Sequence, residues 1–147
     1  LNSLGNYTQA IPYLDKALAI DPNFKFALIN KGNALSNLGN YTQAIQYYDQ
    51  ALVIEPNYTG ALLGKGFALH QLGSNDQAIQ SYDKALVIEP RNVDTLTNMG
   101  VSLAALHKYN EAIKYYDKAL AIEPTLRNAI DGKHISLQAL KNQTQIK

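Results

Sequence analysis

The sequence predicts an all-α fold built from a repeated pair of helices. Three observations carry this reading: a 34-residue period, apolar residues at helical spacing inside each period, and Gly or Pro at the two places where each period turns. Leu18-Ala19-Ile20-Asp21-Pro22 recurs as Leu52-Val53-Ile54-Glu55-Pro56, Leu86-Val87-Ile88-Glu89-Pro90 and Leu120-Ala121-Ile122-Glu123-Pro124, each 34 residues after the last. Ala10, Ala44, Ala78 and Ala112 keep the same step, as do Ala17, Ala51, Ala85 and Ala119, and Gly32, Gly66 and Gly100. Residues 25–58 and 59–92 agree at 20 of 34 positions. A period of this length marks an architecture of stacked units, each unable to bury its apolar face alone.

In chain order, residues 1–24 read as a partial repeat: the tail of a first helix, a break at Gly5-Asn6, and one second helix. Pro12 falls inside that second helix, where it removes a hydrogen bond and crowds the preceding turn, so a late start or a kink is expected there. The full unit 25–58 opens with a helix over 25–38, with Leu28, Leu35 and Leu38 on one face. Gly39-Asn40 ends it, as Gly73-Ser74 ends its counterpart. A second helix over 41–54 turns Ala44, Ile45, Tyr48, Ala51 and Leu52 inward, and Pro56 stops it. Gly32 lies within the first helix at a cost of about 1 kcal/mol relative to Ala; its recurrence predicts close approach of the partner helix. Units 59–92 and 93–126 follow the same plan. Residues 127–141 repeat the first-helix pattern through Ile130, Leu137 and Leu140, with His134 in place of the packing glycine, and read as a terminating helix. The polar tail 142–147 leaves the pattern.

Composition narrows the function. With 46% hydrophobic and 17% charged residues the chain is globular rather than disordered. A net charge of +1 supplies no field to gather nucleic acid or an anionic membrane, so neither is an expected partner. The absence of Cys removes disulfides, thiolate chemistry and sulfur-ligated zinc. No apolar run approaches the length of a membrane span. A start at Leu1 rather than Met reads as a trimmed or processed segment. The expected compartment is the cytoplasm; the glycosylation-type triplets at Asn6, Asn40, Asn57 and Asn142 matter only in an exported protein.

The recurring positions Leu28, Gly32, Leu35, Ala44, Tyr48, Ala51 and Pro56, repeated through 59–92 and 93–126, resemble the tetratricopeptide repeat. Leu28, Leu62 and Leu96 stand where that repeat often carries tryptophan. The resemblance covers nearly the whole chain. It implies antiparallel helix hairpins stacked in a right-handed superhelical solenoid, and a concave wall formed by one face of the first helices, where such arrays hold their ligands. Carried onto this chain, the wall is Phe26, Ile29, Asn30, Asn33, Ser36 and Asn37; then Gly60, Leu63, Gly64, Phe67, His70 and Gln71; then Asp94, Thr97, Asn98, Val101, Ala104 and Ala105. No place in this set holds the same residue in all three units. Either a sequence-specific groove is drawn from these residues or nothing constrains them.

The wall's chemistry limits what it can hold. It offers amides and hydroxyls at Asn30, Asn33, Asn37, Gln71, Thr97 and Asn98, apolar contact at Ile29, Leu63, Phe67 and Val101, and no Lys or Arg. An Asn side chain both donates and accepts, so it can pair with an extended peptide backbone of any sequence. Asn30 and Asn98 occupy equivalent places, with Gly64 between them, which is similar to the asparagine ladder of repeats attached to protein glycosyltransferases with one rung missing. The clamp with which chaperone-cofactor arrays hold a terminal carboxylate is not matched. Its lysine, asparagine and basic places hold Ile29, Gly64, Asp94 and Asn98, and only Asn33 fits.

No catalytic constellation emerges. His70, His107 and His134 fall at different places in their units and no two stand at i, i+4, so no metal is expected. His107 takes the place of a turn glycine. The recurring carboxylates at Asp15, Asp49, Asp83 and Asp117, and at Asp21, Glu55, Glu89 and Glu123, sit on adjacent units rather than as an acid–base pair. Lys31 and Lys65 are expected to lie over the hairpin edge. The expectation is a non-enzymatic interaction module, without cofactor, that binds a peptide segment of a partner protein. The alternative is a structural scaffold. In it, the apolar edge at Ile130, Leu137 and Leu140 of one chain packs on residues 7–20 of another, a head-to-tail contact that makes rings or filaments.

Overall fold

A computed structural model describes residues 2–146. Leu1 and Lys147, the ends of the expected array, lie outside the described residues. Among the described residues the chain forms eight α-helices and no strand: α1 (Asn2–Ile20), α2 (Lys25–Asn37), α3 (Tyr41–Ile54), α4 (Thr59–Gln71), α5 (Asn75–Ile88), α6 (Val93–Ala105), α7 (Tyr109–Ile122) and α8 (Arg127–Gln145). They fall into two compact units, Leu1–Ser74 with α1–α4 and Asn75–Lys147 with α5–α8. In the first unit α2 packs on α1, α3 and α4, and α3 also meets α4. In the second, α6 packs on α5, α7 and α8, and α7 also meets α8.

Backbone chemistry sets the helix ends. At the close of α2, the Asn40 N–H donates to Leu35 O at 2.8 Å and the Gly39 N–H to Ser36 O at 3.0 Å. This paired closure satisfies two of the last carbonyls and requires a left-handed residue between them. Gly39 supplies it at φ 81°, Gly73 at φ 79°, and His107 at φ 60°. His107 thus does occupy a turn glycine's place, with its Nδ1 2.8 Å from the Tyr109 hydroxyl. After α3, the turn Glu55-Pro56-Asn57-Tyr58 closes through the Tyr58 N–H on Glu55 O at 3.2 Å, with proline where its fixed φ suits a turn. The same bond closes the turns after α1, α5 and α7.

Gly32, Gly64, Gly100 and Gly132, all inside helices, are explained by two tyrosines. A Cβ on Gly32 would stand 2.7 Å from the Tyr48 ring, and one on Gly64 would stand 2.6 Å from it. Tyr116 fills the same role between Gly100 and Gly132, at 2.6 and 2.5 Å. Each ring therefore slots between two first helices and is 1% exposed. Two helical glycines cost about 2 kcal/mol, against about 3–5 kcal/mol lost when a buried aromatic is truncated, so the arrangement is favourable. In the first unit Leu28, Ile29, Leu35, Ala44, Ala51 and Ala61 complete the core around Tyr48, flanked by Ile11, Leu18, Leu52 and Tyr58.

Three expectations require correction. Gly5-Asn6 does not break the chain, and Pro12 does not delay the helix: α1 runs unbroken from Asn2 to Ile20 with Pro12 inside it. Pro12 faces solvent, and packing of Ile11 and Leu18 onto the core outweighs the one lost hydrogen bond. The last helix does not end at 141 but continues to Gln145, where Thr144 bonds the Lys141 carbonyl at 2.8 Å. His134, which stands in the place of Gly32, is exposed; Gly132 is the counterpart of Gly64 and, like it, meets the tyrosine of the preceding hairpin.

Candidate functional site

In the first unit, α2 and α4 carry most of the residues assigned to the wall. Asn30, Asn33 and Asn37 are exposed and stand at successive turns of α2. Together with Tyr7, Tyr13 and Leu14 of α1 they line an open cleft of about 630 Å³. The three amides are not equivalent. Asn33 Oδ1 accepts a hydrogen bond from the Tyr48 hydroxyl at 2.7 Å, which leaves its NH₂ to face outward. Asn37 donates to the Asn33 carbonyl at 2.8 Å, which leaves its oxygen. Asn30 has no partner among the described residues. On α4, Phe67 is 38% exposed and lies edge-on to Tyr41 at 6.3 Å. Leu63 and His70 are half-buried and Gln71 is exposed. Phe26, 53% exposed, belongs to a separate aromatic cluster with Phe24 and Tyr58, and the Lys25 ammonium rests 4.7 Å from its ring centre.

Three residues assigned to the wall are not available to a ligand, the first being Ser36, which is 7% exposed and hydrogen-bonded to Tyr48. Ile29 is 6% exposed and belongs to the core around Tyr48. Thr97 on α6 is also 6% exposed, with its hydroxyl donating to the Val93 carbonyl at 2.8 Å. Beside it in the second unit, Asn98 and Val101 are half-buried. On α8, Ile130 and Leu137 are 39% and 40% exposed, and Leu140 is half-buried.

The side chains of Tyr7, Tyr13 and Leu14 escaped the sequence reading because it confined the wall to first helices. A signal was present. Leu14 stands where the later units carry Tyr48, Tyr82 and Tyr116, and the smaller side chain leaves the cleft open. The gap in the asparagine series at Gly64 also has a cause: the Tyr48 ring lies against it. Near Asn98 the preceding tyrosine, Tyr82, bonds Ser102.

These elements define a helical-repeat protein. The recurring positions hold the hairpins together, and amides, aromatics and half-buried aliphatics lie on the helix faces. Profiles of the tetratricopeptide repeat match residues 26–58 and 93–126 and residues 1–24, and a TPR-repeat profile matches 66–107. The chain belongs to the tetratricopeptide repeat family. Its all-α fold is similar to the crystal structure of MamA (TM-score 0.80, 19% identity, covering 98% of this chain and 94% of that one). It is also similar to the first TPR domain of human RPAP3 (TM-score 0.80, 24% identity, 84% and 98%). A third similar structure is the first TPR of Spaghetti (RPAP3) bound to an HSP90 peptide (TM-score 0.77, 25% identity, 80% and 93%). No curated protein sequence matches the chain. Repeats of this family serve in general as protein-interaction modules.

Proposed function

We propose that the chain is a non-enzymatic adaptor that holds a neutral, extended segment of a partner protein along its asparagine-bearing first-helix faces. The observation that carries this reading is the cleft between α1 and α2. There three outward amides with complementary free groups stand at successive helical turns beside two tyrosines. Such amides pair with the N–H and C=O groups of an extended backbone, while Tyr7 and Tyr13 supply apolar contact at low entropic cost. Phe67, Leu63 and, in the second unit, Asn98 and Val101 continue the same chemistry. The wall carries no cation, so the acidic peptide held by the RPAP3 domain is not the ligand class expected here. Replacing Asn30 and Asn37 by Ala should abolish binding of peptides selected from a neutral library while leaving helical circular dichroism unchanged. Undiminished affinity in that folded variant would overturn the assignment.

A second reading, head-to-tail self-association, is favoured by the exposed pair Ile130 and Leu137 on α8. Sedimentation velocity should then give a mass that rises with concentration. Glu at both positions should return the chain to a monomer without affecting peptide binding. A concentration-independent monomer in the unsubstituted chain contradicts this reading.

A further inference from the structure

The units carry a ladder of ion pairs with one rung absent. Asp15 pairs with Lys31, Asp49 with Lys65 at 2.6 Å, and Asp117 with Lys133 at 2.6 Å. In each pair a second-helix carboxylate meets a first-helix ammonium 16 residues on. At the fourth place the carboxylate is Asp83, but the residue 16 on is Met99, which is 1% exposed. Among the described residues nothing pairs with Asp83. Exposed ion pairs of this kind contribute about 0–1 kcal/mol, so the fold survives the loss easily, and a carboxylate is left with its partner's position vacant.

The molecule contains a filled copy of the same place. Lys31 sits between Asp15 and Tyr47: its ammonium is ion-paired to the carboxylate and lies 4.3 Å from the tyrosine ring centre. Burial alone would pull the Lys31 pKa down. The hydrogen bonds to Asp15 and Tyr47 instead leave it raised, so this setting holds the charged form. Two repeats on, Asp83 corresponds to Asp15 and Tyr115 to Tyr47, but no lysine stands between them. There the structure has a cleft of about 350 Å³ lined by Asp83, Leu86, Val87, Leu96, Tyr115 and Lys118. Partial desolvation with no cation to offset it raises the Asp83 pKa. Burial raises that of Tyr115, helped by the charges of Asp83 and Glu111. Lys118 lies over the Tyr115 ring at 4.6 Å from one turn along its own helix, yet makes no ion pair with Asp83.

We propose that this cleft receives a lysine side chain from a partner polypeptide, the guest ammonium taking between Asp83 and Tyr115 the place that Lys31 takes between Asp15 and Tyr47. Leu86, Val87 and Leu96 would hold the guest's methylene stem, and the carboxylate and ring its charge. The site is independent of the asparagine-bearing cleft and stands or falls without it.

The test is a titration of the isotope-labelled chain, followed by amide chemical shifts, with the blocked peptide acetyl-Ala-Leu-Lys-Leu-Ala-amide and its norleucine counterpart. The lysine peptide should shift Leu86, Val87, Tyr115 and Lys118 saturably, and the norleucine peptide should bind about tenfold more weakly or worse. Asp83→Asn should lose the response. Met99→Lys should lose it too, because the ladder then fills its own site, and Lys118→Gln should strengthen it by removing a competing cation. Lys31→Met should create the same response around Asp15 and Tyr47. Equal binding of the two peptides, or a response retained in folded Asp83→Asn, overturns the proposal.

Discussion

Tyr48, Tyr82 and Tyr116 are the residues on which each hairpin depends, and their ionisation gives the fold a pH limit. Burial pushes the Tyr48 phenol from its ordinary 10.0 up to about 12, a hydrogen bond with Ser36 opposing only part of the rise. Burial takes Tyr116 to about 12 as well and moves Tyr82 the same way. Below pH 10 both folded and unfolded phenols are protonated and the stabilisation is complete. Between 10 and 12 the unfolded phenols lose their protons while the folded ones keep them, so stability falls as pH rises. Tyrosinate absorbance from these three residues should therefore appear together with loss of helical signal in an alkaline titration. Their ionisation in a chain that remains fully helical would contradict this placement. Little of it was legible beforehand. The recurrence of Gly32 predicted a close approach, but which side chain approaches, and that Gly64 and Gly132 share the load, depends on contacts between helices that no single helix's pattern encodes.

Among the elements, α2 to α7 were legible almost to the residue, because each lies between a proline turn and a left-handed turn (Gly39, Gly73 or His107) at fixed spacing. The first and last helices were not. Local breakers at Gly5 and Pro12 argued for an interruption, and tertiary packing carried α1 through both. Rotation about a helix axis was the other blind spot. Ile29 and Thr97 were placed on an open face by the family resemblance, yet their neighbours bury them. The two kinds of glycine separate these effects experimentally. A Cβ on Gly5 meets nothing within 4 Å, so Gly5→Ala should stabilise the chain by about 0.5–1 kcal/mol through the unfolded state and helix propensity. A Cβ on Gly100 meets the Tyr116 ring at 2.6 Å, so Gly100→Ala should destabilise it by about 1–3 kcal/mol despite the same gain in propensity. Urea denaturation of the two variants should move in opposite directions, and a shared direction would mean that the tyrosine slots yield easily.

For the molecule as a whole, a repeat keeps the packing positions nearly constant and lets the first-helix faces vary, and the proposed function places recognition on the faces that vary. The amides at Asn30, Asn33 and Asn98 were readable as candidates from residue type once the family resemblance had supplied the wall positions. The contribution of Tyr7 and Tyr13 was not, since it follows from how α1 lies on α2. The most direct measurement is a titration of the labelled chain with a library-selected peptide lacking Lys and Arg, following the side-chain NH₂ resonances of asparagine. The account predicts that those of Asn30, Asn33 and Asn37 shift saturably together with the backbone amides of Tyr7 and Tyr13. Saturable binding that leaves these resonances in place and moves others would contradict it.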